Sequence, residues 1–377
     1  MAPILHPQQR VSNSLSCSVA TPQPGVLEGK LRAQAAWNKP YRRYPLKTAT
    51  DHRFTIEEAV SWVKHLCESK GCSQAVADTL ARAVVAAQGR GNDAVGFRHL
   101  ADYLSGFSSG RIDPRAEPRI SSSSSIIFRS DARGGIAQLG VDRCFDSLCY
   151  SAHENGMAVL SQFNSFTSGE LGDYTIRLAK AGLIALAVAN GPALVAVPDA
   201  KGKTYSTNPL SFAAPTADGI PLMFDQASSA TAFVNIAHAA SMGSDIPDGW
   251  AVDQHGNATR NALEALGGAL LPFGGYRGAN LILMVEVLAA GLTGANWSID
   301  SPAFHQGSQT PGCGLLILAI APNFFSSGFE SRLASQLARL TEMGVHRPGL
   351  ERQHSSIDSK NGGIRLPLEL LEQLSSM

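Results

Sequence analysis

An excess of either charge is missing from this 377-residue chain: Lys and Arg number 31, and Asp and Glu also 31. No bulk field therefore favours nucleic acid or an anionic membrane, and partners must come from local sites. Charged residues are scarce at 16%, aromatics make up 7% and hydrophobic residues 44%, the profile of a chain with a large buried core. The six cysteines (17, 67, 72, 144, 149, 313) form no C-x-x-C and no Cys/His ladder of zinc spacing. They read as buried thiols of a reducing, cytoplasmic compartment. None of the ten histidines pairs with another at an H-x-x-x-H or H-E-x-x-H spacing, so no metal is expected. No G-x-S-x-G elbow or Cys–His arrangement supports a hydrolase. The stretch LILMVEVLAAGLTGA is broken by Glu286, and no apolar run reaches the roughly 18 residues of a membrane span.

What is present divides the chain. Residues 1–54 carry eight Lys/Arg against two acids, with scattered Ser, Pro and Gln. This basic extension reads as a transit-type presequence, an unstructured tail or a start assigned too early, and is set apart from the fold. Thr55 with Glu58 makes a capping box ahead of Val60, Val63 and Leu66, so a helix is expected to run to about Gly71. Ser73 opens a second, with Val76, Leu80 and Val84 on one stripe. A third follows, carrying Tyr103, Leu104 and Phe107, so residues 55–118 form a helical lobe. From about 119 short β-like runs alternate with a helix over VDRCFDSLCYSAHENG. The runs are SSSIIFRS, MAVLSQF, LIALAVANG and ALVAVP. Residues 119–310 are expected to form a central sheet domain of an α/β or α+β protein. LILMVEVLAAGLTGA reads as a buried helix, and residues 311–377 as a strand and helices packing on the lobe.

Four segments carry chemistry. LPFGGYRGANL (271–281) is a Gly-rich loop leading into a helix with Arg277 inside it, either an anion site or a tight turn. It is neither a P-loop nor a G-x-G-x-x-G fingerprint. In STNPLSFAAP, Pro209 forces an extended or turn geometry on Asn208, so Ser206 and Thr207 either hold a small polar substrate or close a turn. In FDQASSA, Asp225 ends an apolar run and the serines suit a helix cap. QFNSFTSGELGDY (162–174) reads as a loop, ordinary or wrapped around a cofactor phosphate. GNDAVGFRHL (91–100) holds Asp93, Arg98 and His99 at a loop-to-helix junction.

These segments stand in one order with G-x-I-x-P-x-A (110–116), NSFTSG, IPDGWAVDQHGNAT and HRPG, and together they resemble the type-2 malate/L-lactate dehydrogenase family over about residues 55–370. The resemblance implies a non-Rossmann fold, in which a helical lobe and C-terminal segments flank an inserted, mostly antiparallel sheet. It also implies a nicotinamide cofactor, NADPH or NADH, a homodimer, and a small imino or 2-oxo acid as substrate. Thr207 then contacts substrate. Thr167, Ser168, Gly169, Glu170, Leu171, Asp225, Gln226, Ala227, Arg277, Gly278 and Gly349 line the cofactor. The family's D-S-H-G-x-x-R-L motif aligns with DAVGFRHL: Ala94 replaces the Ser, Val95 the proton-donating His, and His99 the carboxylate-gripping Arg, with Arg98 beside it. Asn235 falls where an Asp is expected, and Thr167 replaces the His of N-S-x-H-x-G.

Reduction of a ketone needs a proton for the developing alkoxide, and loss of the general acid costs on the order of 10²–10⁴ in rate. A cyclic imine can enter already protonated. The expectation is therefore a reductase of Δ1-pyrroline- or Δ1-piperideine-2-carboxylate, giving L-proline or L-pipecolate. Thr207 with Arg98 or His99 would hold the carboxylate, and His99 and Asp225 are the candidate catalytic groups. The alternatives are a malate/L-lactate-type dehydrogenase with a relocated acid such as His99, and a catalytically impaired cofactor-binding paralogue.

Overall fold

A computed structural model describes residues 51–200, 202–350 and 363–377; the basic extension lies outside the described residues up to position 50. Its last four residues form strand β1 (Asp51–Phe54), antiparallel to β12 (Ile364–Pro367). Helix α1 (Ile56–Ser69) begins at the expected capping box: Glu58 N donates to Thr55 Oγ1 at 3.1 Å and Thr55 N to Glu58 Oε2 at 2.8 Å. Ser73 caps α2 (Gln74–Gly89), and α3 (Phe97–Ser109) closes on Gly110 in the left-handed region at φ 77°. Val63, Leu80, Val84, Phe97, Leu104 and Ile112 pack into one apolar cluster with Leu366 and Leu374. Leu374 comes from the C-terminal helix α10 (Leu368–Ser376), so both ends of the described chain complete the lobe.

The central sheet has seven strands in the order β2–β3–β4–β11–β5–β6–β7. They are β2 (Arg119–Ser124), β3 (Ile127–Asp131), β4 (Met157–Ser165), β5 (Ile184–Ala189), β6 (Leu210–Ala214), β7 (Leu222–Gln226) and β11 (Cys313–Ile320). Only β3 and β4 run parallel; the other neighbours are antiparallel, as the resemblance implied. Helices α4 (Ala137–Asn155) and α5 (Leu171–Lys180) cover one face, burying Val141, Leu148, Leu171, Tyr174 and Leu178 against Leu160, Leu315 and Ile317. β11 is central because seven of its residues are apolar and it is paired on both edges.

A smaller unit follows, with α6 (Phe233–Ser241), the short strands β8 (Ala251–Val252), β9 (Ala258–Thr259) and β10 (Ala269–Leu270), and α7 (Ala262–Gly267). Helix α8 (Tyr276–Glu286) then passes into a π-turn, Val287–Gly291, which lies against β11. Helix α9 (Phe329–Glu342) sits where the SRLASQLARLTEMG pattern places it.

Four expectations change. SSSIIFRS is a hairpin of two strands rather than one run. ALVAVP contributes only isolated bridges of Val195 to Tyr205 and Leu270. The 162–174 segment is loop only over residues 166–170, between the end of β4 and the start of α5, whose first turn holds Gly172 and Asp173. LILMVEVLAAGLTGA is buried on one side only, with Leu283, Met284, Val287 and Leu292 exposed. An apolar run reports hydrophobicity and not which face is covered.

Gly314 marks the tightest approach in the sheet, since a Cβ there would lie 1.7 Å from Ala289 O of the π-turn. Gly314→Ala is expected to lower stability by about 1–3 kcal/mol or more, because backbone must move to admit it. Urea denaturation checks this, and an unchanged midpoint would contradict it.

Candidate active site

The loop 91–96 is fastened to the start of α5 by buried charge. Arg90 Nη2 lies 2.5 Å from Glu170 Oε2 and 2.9 Å from Asp173 Oδ1, with the Arg90 and Glu170 side chains 13% and 2% exposed. Asn92 Nδ2 donates to Glu170 Oε1 at 3.1 Å. Burial opposes the Arg90 charge, but the two carboxylates outweigh it and hold the guanidinium above its ordinary value. Arg177 extends the network to Asp142 at 2.7 Å, and Arg82 joins Asp142 at 3.1 Å.

Between the two tied segments lies a small cavity lined by Val95, Gln138, Gly169, Glu170 and Tyr174. It has room for about one water. The Gln138 amide donates to Tyr103 Oη at 2.7 Å, and its own Oε1 is buried without a partner among the described residues. Val95 thus brings an aliphatic side chain to the wall of this cavity. Gly169, at φ 65°, cannot carry a side chain: its Cβ would lie 2.4 Å from Gln138 Nε2.

A row of rings leads away from this point. His99 meets Tyr103 edge-on at 4.8 Å, Tyr103 meets Phe166 at 5.9 Å, and Phe166 meets Phe304 at 5.8 Å. Burial pushes the Tyr103 hydroxyl well above its usual range, so it stays protonated. Cys313 donates its thiol to Phe166 O at 3.1 Å. Burial pushes that thiol up to about 12, which removes it as a nucleophile. A Cβ on Gly191 would touch Phe304 and Ser206 Oγ at 3.2 and 3.3 Å, so the ring row reaches the STNP segment.

That segment is held by its asparagine. Asn208, at φ 37° and fully buried, donates from Nδ2 to Ile282 O at 2.9 Å and to Glu286 Oε2 at 2.8 Å. Glu286 also accepts from Ser298 N and Oγ at 2.6 and 2.7 Å. The acid that interrupts an apolar helix is therefore a structural clamp. Ser228 N donates to Thr207 O at 2.8 Å, Phe273 N to Ser228 O at 3.2 Å, and Ala230 N to Leu271 O at 2.7 Å. Thr207, the FDQASSA segment and the Gly-rich loop are thereby knitted together, with the half-buried Thr207 hydroxyl making no bond to a described residue.

The remaining candidates divide by what already engages them. The Glu170 carboxylate is committed to Arg90 and Asn92, and Ser168 O accepts from Tyr174 Oη at 2.6 Å. Asp225 Oδ2 accepts from Gly172 N at 2.7 Å, so its carboxylate already caps the start of α5. Gly278 is required by Phe273 O, 1.8 Å from a would-be Cβ, and Gly349 by Met223 O at 2.6 Å. Both close approaches are to protein backbone. Asn235 donates to Thr231 Oγ1 at 3.0 Å on the first turn of α6. Thr167 and Ala227 are half-buried, Leu171 is buried, and Gln226 is exposed at the end of β7. Arg98 and Arg277 are exposed and bond to no described residue, and Arg277 sits in the first turn of α8 behind Gly274 and Gly275. Asp102, Gln138, Phe304 and His305 escaped the sequence reading; the i, i+3 spacing of His99 and Asp102 on one helix face was the available signal.

Residues 54–375 match the family described as malate/L-lactate dehydrogenase, and the chain belongs to it. It is an oxidoreductase that works with a nicotinamide cofactor. Among its relatives is a Delta(1)-pyrroline-2-carboxylate/Delta(1)-piperideine-2-carboxylate reductase of Pseudomonas putida, 35% identical over 335 residues, which cover 88% of this chain and 98% of the relative. A (2R)-3-sulfolactate dehydrogenase (NADP(+)) of Chromohalobacter salexigens is 32% identical, over 85% of this chain and 96% of that one. The crystal structure of delta1-piperideine-2-carboxylate reductase from Pseudomonas syringae pvar. tomato superposes with a TM-score of 0.83. It is 33% identical, and the match covers 86% of this chain and 99% of that one.

Arg90→Ala would leave the Glu170 carboxylate buried without a counter-charge, with Asn92 as its remaining donor, and is expected to cost about 3–5 kcal/mol of stability. The paired Arg90→Leu/Glu170→Leu variant should lose much less. Chemical denaturation of both separates the outcomes, and equal losses would contradict a charge-specific tie.

Proposed function

We propose that the protein is an NAD(P)H-dependent reductase of small cyclic imino acids, taking Δ1-pyrroline-2-carboxylate or Δ1-piperideine-2-carboxylate to L-proline or L-pipecolate. The observation that carries this reading is Val95 at the cavity wall, with no proton donor on the loop that faces Gly169. A ketone reduced there would lack the acid for its alkoxide oxygen, a loss worth about 10²–10⁴ in rate. A protonated imine becomes a neutral amine without one. The names of the Pseudomonas relatives support the same substrate class.

The residues present fit a nicotinamide nucleotide. The N-terminus of α8 has no side-chain cap, and Cβ atoms on Gly274 and Gly275 would meet open space, so their backbone is accessible to an anion. Arg277 stands in the same turn without a partner among described residues, which favours the extra phosphate of NADPH over NADH. When bound, the reduced cofactor supplies hydride to C2 of the substrate. Thr207 and Arg98, whose side chains bond to no described residue, would hold the substrate carboxylate, and the half-buried Phe304 ring would help to exclude water.

The exposed apolar residues Leu283, Met284, Val287 and Leu292 recur at helical spacing along α8 and the π-turn, and Tyr276 opens the same helix. Such a face is suited to a second copy of the chain, so we read the protein as a homodimer. Cys67, Cys72, Cys144, Cys149 and Cys313 are all free, which suits the cytoplasm. Among the described residues no helix is long and apolar enough to cross a membrane.

Steady-state oxidation of NADPH and NADH should be faster with Δ1-pyrroline-2-carboxylate than with pyruvate or oxaloacetate. Equal or greater turnover of the oxo acids would overturn the assignment, as would saturable cofactor binding with no oxidation at all. Light scattering of the eluting protein should give the dimer mass, and Met284→Glu with Val287→Glu should shift it towards the monomer; a monomeric parent would remove the dimer.

A further inference from the structure

We propose that His99, positioned by Asp102, accepts the iminium N–H of the substrate and so selects a protonated cyclic imine over a 2-oxo acid of the same shape. This deepens the reductase reading and rests on it.

The two residues stand three apart on α3, with His99 Nδ1 2.8 Å from Asp102 Oδ2. The second oxygen, Oδ1, lies 3.5 Å from His305 Nδ1, so one carboxylate is bracketed by two imidazoles. A carboxylate oxygen accepts from the His99 Nδ1–H, and in the neutral tautomer so selected Nε2 carries the free lone pair. No described residue bonds to that nitrogen. The ring is not free to turn: its side chain is 16% exposed, it stands edge-on to Tyr103, and Tyr103 is itself fixed by Gln138. His305 is joined to Phe304, whose ring faces Phe166. His99, Tyr103, Phe166, Phe304, His305 and Asp102 therefore close a circuit of contacts, in which the fully buried Tyr103 and Phe166 back the part-exposed His99 and Phe304, and His99 Nε2 bonds to no described residue.

That combination discriminates by donor count. A protonated cyclic imine offers one N–H beside a flat ring. A 2-oxo acid offers oxygen acceptors only, and an acceptor facing an acceptor leaves both unpaired. The Asp102 charge behind the imidazole further favours a cation in front of it. The reaction balances without a proton from His99. Hydride from the reduced nicotinamide forms the new C2–H bond, the C=N π pair moves onto nitrogen, and the iminium becomes a neutral amine that keeps its N–H. Asp102 touches no reacting atom and acts by fixing which nitrogen of His99 is the acceptor.

Two flat probes of one size separate this role from a structural one: pyrrole-2-carboxylate carries a ring N–H, and furan-2-carboxylate carries a ring oxygen. Calorimetric titration of the cofactor-loaded protein should show the pyrrole binding about tenfold or more tightly than the furan. Asp102→Asn can donate its amide to Nδ1, which moves the His99 proton to Nε2 and should abolish or reverse that preference. Asp102→Glu should restore it in part, with cofactor affinity and melting temperature unchanged in both variants. Equal binding of the two probes by the parent protein, or a preference that survives in Asp102→Asn, overturns the proposal. Failure of the parent protein to reduce any cyclic imine, read in the turnover assay, overturns the reductase reading itself and this inference with it.

Discussion

The buried pairing of Arg90 with Glu170 and Asp173 is the interaction on which the site depends. It joins the end of α2 to the start of α5, and so sets the helical lobe against the sheet at the point where the catalytic chemistry is expected. Two charges taken out of water repay their desolvation only when the geometry is good and the remaining lone pairs are used. Here Asn92 takes the second Glu170 oxygen, and Arg177 and Asp142 continue the network. The ring row runs from His99 to Phe304 and on to the STNP segment, which Asn208 clamps to Glu286.

A site built in this way is tied by buried charge but short of proton donors. Val95 and Ala94 contribute none, Tyr103 and Cys313 are held protonated by burial, and the Glu170 and Asp225 carboxylates are occupied. On the proposed reading the polar chemistry that remains is recognition, by Thr207, Arg98, and His99 backed by Asp102. An imine carries its own proton into the reaction, so an enzyme with binding groups and no general acid suits C=N better than C=O.

Much of the fold was legible in the residues. The Thr55–Glu58 capping box, the Ser73 cap and the apolar stripes of α1 to α3 report local backbone chemistry, which acts over one or two turns. The mostly antiparallel sheet followed from family resemblance rather than from periodicity. Misreadings fell where long-range packing decides. α5 opens with Leu171, Gly172 and Asp173, a glycine and an acid in its first turn, and looks like loop until Asp225, 53 residues from Gly172, caps it. ALVAVP has strand composition but finds bridges only at Val195. Of the site, the segments were identifiable one by one, yet not their engagement. Gly278 and Gly349 answer to Phe273 and Met223 backbone, and the contact between Asp102 and His305 spans 203 positions, beyond any local pattern.

The central claim is that this site reduces carbon–nitrogen and not carbon–oxygen double bonds. A single reaction containing equimolar Δ1-pyrroline-2-carboxylate and pyruvate, driven by NADPH deuterated at the transferable position, addresses it directly by mass spectrometry of the products. The account predicts proline carrying one deuterium at C2 with little labelled lactate. Labelled lactate in equal or greater amount would contradict it.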